Sequence, residues 1–312
     1  MEKSMPHRFV SVDVFRGLTI ALMVLQISGS GATFSIFQHS EWNGITLADV
    51  IFPMFIFILG FSIVLSSRKL YRIMERTIIL FLLGLLVNGF PFFNLDTLRI
   101  MGVLQRLAIC YLLSSIIYMK LRVKYQVLLV TSILIVYSFI SGYGTNLGTF
   151  LLNGQYTPTF DSEGILSTLG ALASAILGLL AGEYLLTLKE QNKKLLALGF
   201  LSLVLGLLLN PLVPFNKLLW TSSFVLFTNG VSVILLSVLF YLIEARGYKR
   251  VFRPFQILGL NAIFVYVLSE VLTLSLITWM NIELGFLYGL ENLSICWFIA
   301  AIMYTKRIFV KV

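Results

Sequence analysis

Ten apolar segments, each long enough to cross the hydrocarbon core of a bilayer, follow one another along the chain. A helix needs about 20 residues to span about 30 Å of hydrocarbon, and a lipid-exposed backbone must satisfy its polar groups internally. The sequence therefore predicts an all-α integral membrane protein, a bundle of about ten transmembrane helices. The segments lie near residues 10–28, 47–67, 75–93, 99–119, 123–141, 165–187, 194–211, 217–242, 254–278 and 288–305.

The composition agrees with a membrane protein. Of the 312 residues, 58% are hydrophobic and only 12% are charged, and the mean hydropathy is +0.94. A soluble domain of this length could not bury so much apolar surface in one core. Because no soluble segment, low-complexity tract or internal repeat is found, residues 1–312 are predicted to form a single transmembrane domain.

The connections between the spans alternate sharply in their content of Lys and Arg. One set is rich in both, whereas the opposite set holds only Arg99 and Lys217, each at a span boundary. Positively charged connections stay on the cytoplasmic side. We therefore expect both termini to be cytoplasmic, the number of spans to be even, and the chain to be a multi-pass protein of the inner (cytoplasmic) membrane.

Charge and cysteine content exclude several other classes. The net charge of +9 comes with no basic cluster interleaved with stacking aromatic residues, so no nucleic-acid partner is expected, and membrane lipid is the expected surrounding. The two cysteines, Cys110 and Cys296, lie inside apolar spans and form neither a disulfide framework nor a zinc spacing. No metal site is predicted.

Polar residues accumulate at the end of the bundle that is poor in Lys and Arg. Ionisable groups inside a span are costly in lipid and normally face the bundle interior or a wet cavity. The sequence therefore predicts a polar chamber in the outer half of the bundle. The residues that indicate it inside the spans are Asp13, Arg16, Asp49, Arg106, Glu183, Asn261 and Glu270.

Several of these residues also have purely structural interpretations. Thr46 and Asp49 fit a capping box at the start of the second span. Arg16 and Glu183 lie near a span end and can pair or extend to the interface. A lone loop histidine such as His39 is usually a solvated side chain. A small-residue stripe favours close helix packing; it consists of Ala171, Ala175, Gly178 and Gly182.

Six segments, in order along nearly the whole chain, resemble the heparan-α-glucosaminide N-acetyltransferase family, including its bacterial members. One such segment would be weak support, but six in register are specific. They are SVDVFRGLT at 11–19, HSEWNGITLADVIFP at 39–53, RIMGVLQR at 99–106, DSEGILST at 161–168, NKLLWTSSF at 216–224 and LGLNAIFVY at 258–266.

The resemblance implies a transmembrane acyltransferase domain that moves an acetyl group from acetyl-CoA to the amino group of a terminal glucosamine. The family has a functional histidine in the loop before Trp-Asn-Gly, and His39 occupies that place. Lysosomal members carry an additional N-terminal lumenal region and one further span, and Gly170 stands where many relatives have proline. We therefore expect an acceptor smaller than a long heparan chain.

The implied chemistry assigns His39 as the catalytic residue. A neutral imidazole can take the proton that the amine loses as it attacks the thioester. Alternatively, His39 is itself acetylated and passes the acyl group on; the sequence does not separate these routes. Supporting roles are expected for Trp42 beside it, for donors to the oxyanion and for groups that bind sugar, phosphate or carboxylate. The candidate oxyanion donors are Asn43, Ser222 and Asn261. The candidates that orient His39 or bind the sugar are Asp49, Asp161 and Glu163, and those that meet phosphate or carboxylate are Arg99 and Arg106.

Acetyl-CoA is the one cofactor expected, as the donor substrate, since the sequence shows no Gly-rich phosphate loop. The expected acceptor partner is an amino sugar or the end of a glycan, and a homodimer is one assembly that we consider. Two alternatives stay open at this point. The protein could be an O-acyltransferase of cell-envelope glycans, or a transporter that moves a small polar solute through the same chamber.

Overall fold

The structure is a computed structural model that describes residues 9–30, 34–66, 69–94, 98–143, 164–187, 192–280 and 285–310. In these ranges all regular secondary structure is helical. Eleven α-helices follow in chain order: α1 Val10–Leu25, α2 Leu47–Val64, α3 Leu70–Gly89, α4 Val103–Lys120, α5 Val123–Tyr143, α6 Ile165–Thr187, α7 Asn192–Leu209, α8 Ser222–Phe240, α9 Arg253–Leu260, α10 Ala262–Met280 and α11 Phe286–Thr305.

Eight helical stretches of the described chain are long and apolar enough to cross a membrane, which makes the chain a multi-pass membrane protein. The all-α prediction is thus confirmed. The two other predicted spans are helical as well, but α3 carries three charged residues in its first two turns, and the apolar part described for α5 is shorter, Val123–Phe139. A total of about ten spans and cytoplasmic termini stay predictions. The eight stretches are Val10–Ser28, Leu47–Val64, Val103–Lys120, Ser167–Leu186, Asn192–Leu209, Ser222–Ala245, Ala262–Trp279 and Phe286–Thr305.

The span predicted as continuous over 254–278 is interrupted at Asn261. This residue has φ −125° and ψ 35°, outside the helical region, and separates α9 from α10. Its side-chain Oδ1 accepts the N–H of Val310 at 2.8 Å, and its Nδ2 donates to the carbonyl of Ile308 at 3.3 Å. An Asn side chain competes with the helical ladder for backbone groups, and here it binds the C-terminal segment instead.

The small-residue stripe on α6 makes the close helix contact that was predicted, and the structure shows that its partner is α2. A Cβ added to Gly178 would lie 2.0 Å from the carbonyl oxygen of Phe57, and one added to Gly60 would lie 1.9 Å from that of Ala175. Both distances are far below van der Waals contact. The two backbones therefore approach each other at positions that only glycine can occupy.

Trp220, in the connection between α7 and α8, is the centre of a buried aromatic cluster. This side chain is fully buried, and its ring meets Phe52 and Phe224 edge to face, with centroids 5.5 and 5.6 Å away. Its indole N–H donates to Ser174 Oγ at 3.1 Å. A Cβ added to Gly170 would lie 2.4 Å from the Trp220 carbonyl oxygen. Gly170 on α6 therefore gives the backbone of Trp220 room to approach.

Candidate functional site

A cavity of about 410 Å³ lies at the start of α2, between the end of α3, the start of α4, the connection from α7 to α8 and one face of α10. Its volume is in the range of small-molecule sites, about 300–1,000 Å³. Charged, polar and apolar side chains all contribute to its walls, so it can hold a ligand that has both polar and apolar parts. The lining residues are His39, Ser40, Trp42, Asp49, Val87, Asn88, Phe90, Arg99, Gly102, Val103, Lys217, Leu218, Tyr266, Glu270 and Leu274.

His39 is held against a buried carboxylate. Its Nδ1 lies 2.8 Å from Oδ1 of Asp49, and the Asp49 side chain has no exposed surface, whereas 42% of the His39 side chain is exposed. An ionised carboxylate can only accept, so the hydrogen is on Nδ1 and the lone pair is on Nε2. The nitrogen that can accept a proton or an acyl group is therefore Nε2.

Asp49 also completes the N-terminus of α2. Its Oδ2 accepts the backbone N–H of Thr46, the hydroxyl of Thr46 and the backbone N–H of Ser40, each at 3.1 Å. The predicted capping box is thus confirmed. Because Asp49 caps the helix and also binds His39, the start of α2 fixes the orientation of the imidazole.

Gln26 approaches His39 from the other side. It begins a short π-helical segment, Gln26–Ser30, that continues α1, and such segments are frequent at functional sites. Its Nε2 lies 3.0 Å from Nε2 of His39. The amide N–H donates to the nitrogen that carries the lone pair, so Gln26 lies where a substrate proton would arrive.

Lys217 brings a positive charge to the same imidazole. Its Nζ lies 3.0 Å from both ring nitrogens of His39 and 3.9 Å from Oδ1 of Asp49. Only 15% of the Lys217 side chain is exposed. A cation and an anion therefore flank one histidine in a largely buried setting, where charge–charge interactions are stronger than in water.

The Trp-Asn-Gly motif joins two loops and so positions Lys217. The N–H of Gly44 donates to the carbonyl of Phe215 at 2.9 Å, and Asn216 Nδ2 donates to Oδ1 of Asn43 at 3.2 Å. The other end of the Asn216 side chain accepts the N–H of Leu219 at 2.8 Å. Asn43 does not line the cavity; it stabilises the His39 loop through its hydrogen bond with Asn216.

Arg99 reaches the cavity from the connection between α3 and α4. Asn88, at the end of α3, donates from Nδ2 to the Arg99 carbonyl at 2.8 Å and so holds that connection. A Cβ added to Gly102 would lie 2.8 Å from the same Asn88 nitrogen. The absence of a side chain at residue 102 therefore permits the contact that places the exposed Arg99 side chain at the cavity.

The wall formed by α10 contains a second carboxylate. Tyr266, Glu270 and Leu274 follow one another at intervals of four residues, and all three line the cavity. Residues with this spacing share one helix face. Tyr266 and Glu270 are therefore neighbouring polar groups on this wall.

Three of the predicted site residues lie away from His39. Ser222 donates to the Leu134 carbonyl at 2.7 Å and links α8 to α5. Arg106 is fully buried, hydrogen-bonds to Ser167, and lies with its guanidinium carbon 4.9 Å from the centre of the Trp220 ring. Asn261 binds the C-terminal segment, as described above.

Asp161 and Glu163 lie outside the described residues. The structure therefore brings together His39, Trp42, Asp49 and Arg99 in one cavity, with Asn43 supporting the loop. Gln26, Lys217, Asn88 and Glu270 were not among the predicted site residues. Lys217 could have been singled out because it is one of only two basic residues in the connections at this end of the bundle. Glu270 could have been singled out because it is an ionisable residue inside a predicted span.

Comparison with known proteins identifies the family of the chain. The family described as heparan-alpha-glucosaminide N-acetyltransferase, catalytic, matches residues 8–210, more than half of the chain, including His39, Asp49 and Arg99. The human heparan-alpha-glucosaminide N-acetyltransferase is 29% identical over 357 aligned positions, which cover 86% of this chain and 53% of the human protein.

The mouse protein of the same name is also 29% identical, over 86% of this chain and 54% of its own length. The chain thus spans about half the length of these two relatives. The extent of the family match nevertheless settles its membership. The chain belongs to the heparan-alpha-glucosaminide N-acetyltransferase catalytic family.

Proposed function

We propose that this protein transfers an acetyl group from acetyl-CoA to the amino group of a glucosamine-type sugar, and that His39 is the catalytic residue. One observation carries the proposal. In a chain of this family, a histidine lies at a cavity of ligand size, with Nδ1 bound to a buried carboxylate and with Nε2 as the acceptor nitrogen, to which the Gln26 amide donates. This is the arrangement that a general base requires.

In the proposed step, the neutral amine nitrogen of the sugar attacks the thioester carbonyl carbon. The C–N bond forms as the amine proton passes to Nε2 of His39. The C–S bond then breaks, and the imidazolium returns the proton to the departing CoA thiolate. Asp49 keeps the ring oriented and stabilises its positive charge while that charge is present. If the acyl group instead passes through His39, the same Nε2 is the nucleophile.

Lys217 is suited to the negative charge that develops on the carbonyl oxygen. The oxygen becomes an oxyanion next to Nε2, and the Lys217 ammonium is within 3.0 Å of that nitrogen. A fixed donor beside a developing oxyanion is usually one of the largest contributions to catalysis. In the proposal Lys217 therefore takes the role that the sequence assigned to Asn43, Ser222 or Asn261.

Acetyl-CoA is the proposed donor. Next to the cavity, the apolar side chains of Phe55, Leu107 and Ile263 pack against its lining residues Tyr266 and Val103 and leave no open passage between them. The charged nucleotide of acetyl-CoA must stay near water or basic side chains, because burying unpaired phosphates is prohibitive. We propose that acetyl-CoA approaches from the cytoplasmic side and that the sugar enters at the His39 end.

The remaining assignments belong to the same proposal. Trp42 and Arg99 lie at the cavity and are proposed to contact the acceptor sugar. Asp161 and Glu163 stay predictions as sugar-binding groups, and Arg106 stays a prediction as a phosphate- or carboxylate-binding group. The inner membrane is the proposed location, and a homodimer is a proposed assembly.

Product analysis tests the proposal. Purified protein would be incubated with isotopically labelled acetyl-CoA and glucosamine, and the sugar would be analysed by mass spectrometry before and after mild alkaline treatment. We expect an alkali-stable N-acetyl sugar. An alkali-labile O-acetyl ester would indicate the O-acyltransferase alternative, and recovery of unmodified sugar alone would contradict an acetyltransferase of this acceptor.

A further inference from the structure

The cavity contains two carboxylates, and they differ in what they can still bind. Among the described lining residues, Asp49 and Glu270 are the acidic ones. Asp49 already accepts from Nδ1 of His39, from two backbone N–H groups and from the Thr46 hydroxyl. A carboxylate offers about four acceptor positions. Asp49 therefore cannot turn to a substrate without losing the contacts that orient His39.

Glu270 has a different environment. It is half-buried on the α10 wall and lines the cavity one turn after Tyr266. It lies inside α10, so it caps no helix, and it is not among the groups that contact His39 in the described residues. Its carboxylate can therefore accept from a ligand in the cavity.

The charges of the cavity indicate what Glu270 would recognise. Arg99 and Lys217 line the same space and repel a cationic ligand. At neutral pH an amino sugar arrives partly as an ammonium ion, and Asp49 is engaged with His39. An ammonium group therefore needs a further anion close to its path, and Glu270 is the carboxylate available for it.

We infer that Glu270 binds the amino group of the acceptor and makes this enzyme select amino sugars over sugars that carry a hydroxyl at the same position. The inference rests on the proposed function and names the group that gives it specificity. Glu270 takes no part in bond formation. It holds the ammonium form by a charge-assisted hydrogen bond. The ammonium then releases one proton to solvent water, and the neutral amine that results attacks the thioester and gives its next proton to His39.

The test compares Glu270→Gln with wild type in the purified full-length protein. KM for glucosamine should rise by about tenfold or more, as expected for the loss of one charge-assisted hydrogen bond, while KM for acetyl-CoA stays near the wild-type value. Glu41→Gln, a change of an exposed carboxylate in the His39 loop that does not line the cavity, is the matched control and should leave both constants unchanged.

A binding measurement separates this inference from the proposed function. Equilibrium binding of glucosamine and of glucose would be measured by calorimetry for both proteins, without acetyl-CoA. Wild type should prefer glucosamine, and Glu270→Gln should lose that preference even if no turnover is found with either sugar. An unchanged preference, or an equal rise in KM for both substrates, would overturn the inference. If Glu270→Gln fails to fold, Glu270→Asp is measured instead, and its preference for glucosamine over glucose should be smaller than that of wild type. A Glu270→Asp protein with the full wild-type affinity for glucosamine would overturn the inference.

Discussion

Single residues at this site serve two purposes at once. Asp49 caps α2 through Oδ2 and binds His39 through Oδ1. The capping interpretation is confirmed, and the supporting role of Asp49 in catalysis stays a prediction. His39 and Asp49 could be predicted because the motif and the capping pattern are local. The contact between Lys217 and His39 could not, because it depends on the docking of two loops separated by 178 positions.

The proposed role of Lys217 predicts a specific kinetic result. Lys217→Met removes the ammonium and should lower kcat by about 10²–10³-fold, the usual loss for one oxyanion donor, with a smaller effect on KM. Steady-state kinetics with acetyl-CoA and glucosamine would measure it. Lys306→Met, at an exposed position after α11, is the control for loss of a lysine. A kcat equal to that of wild type would show that Lys217 only packs against His39.

Among the helices, α2, which begins at the site, is placed by a close backbone contact with α6. The spacing of small residues along α6 predicted a close helix contact but not its partner, which is α2 at Gly60. The interruption at Asn261 was not, because an apolar run with one Asn reads as a single span. Its cause is a tertiary contact with Ile308 and Val310, which lie 47 and 49 positions away.

Gly170→Ala tests how the helices hold the Lys217 loop. The added Cβ would lie 2.4 Å from the Trp220 carbonyl oxygen, so α6 or the loop must move. Overpacking of this kind costs about 1–3 kcal/mol, and the Tm of the detergent-purified protein should fall. Leu169→Ala, at a neighbouring exposed position on α6, is the control. An unchanged Tm together with unchanged kcat would contradict a close fit at this contact.

For the molecule as a whole, the alternation of charge along the sequence predicts which end faces the cytoplasm. Cysteine labelling can measure it, because Cys110 and Cys296 are both buried and should react slowly. In intact cells, Ser35→Cys should react with an impermeant thiol reagent, whereas Lys193→Cys should react only after permeabilisation. Labelling of Lys193→Cys from outside would reverse the proposed orientation and the proposed entry side for acetyl-CoA.

The most direct measurement is the turnover of His39→Ala with labelled acetyl-CoA and glucosamine. A general base contributes about 10²–10⁴-fold, so formation of the N-acetyl sugar should fall by at least that lower factor. Acetyl-CoA binding and the Tm should stay close to wild type, since the His39 side chain is partly exposed and the cap of α2 keeps three of its bonds. If folded His39→Ala retained more than about a tenth of wild-type turnover, His39 would not be the catalytic residue of this enzyme.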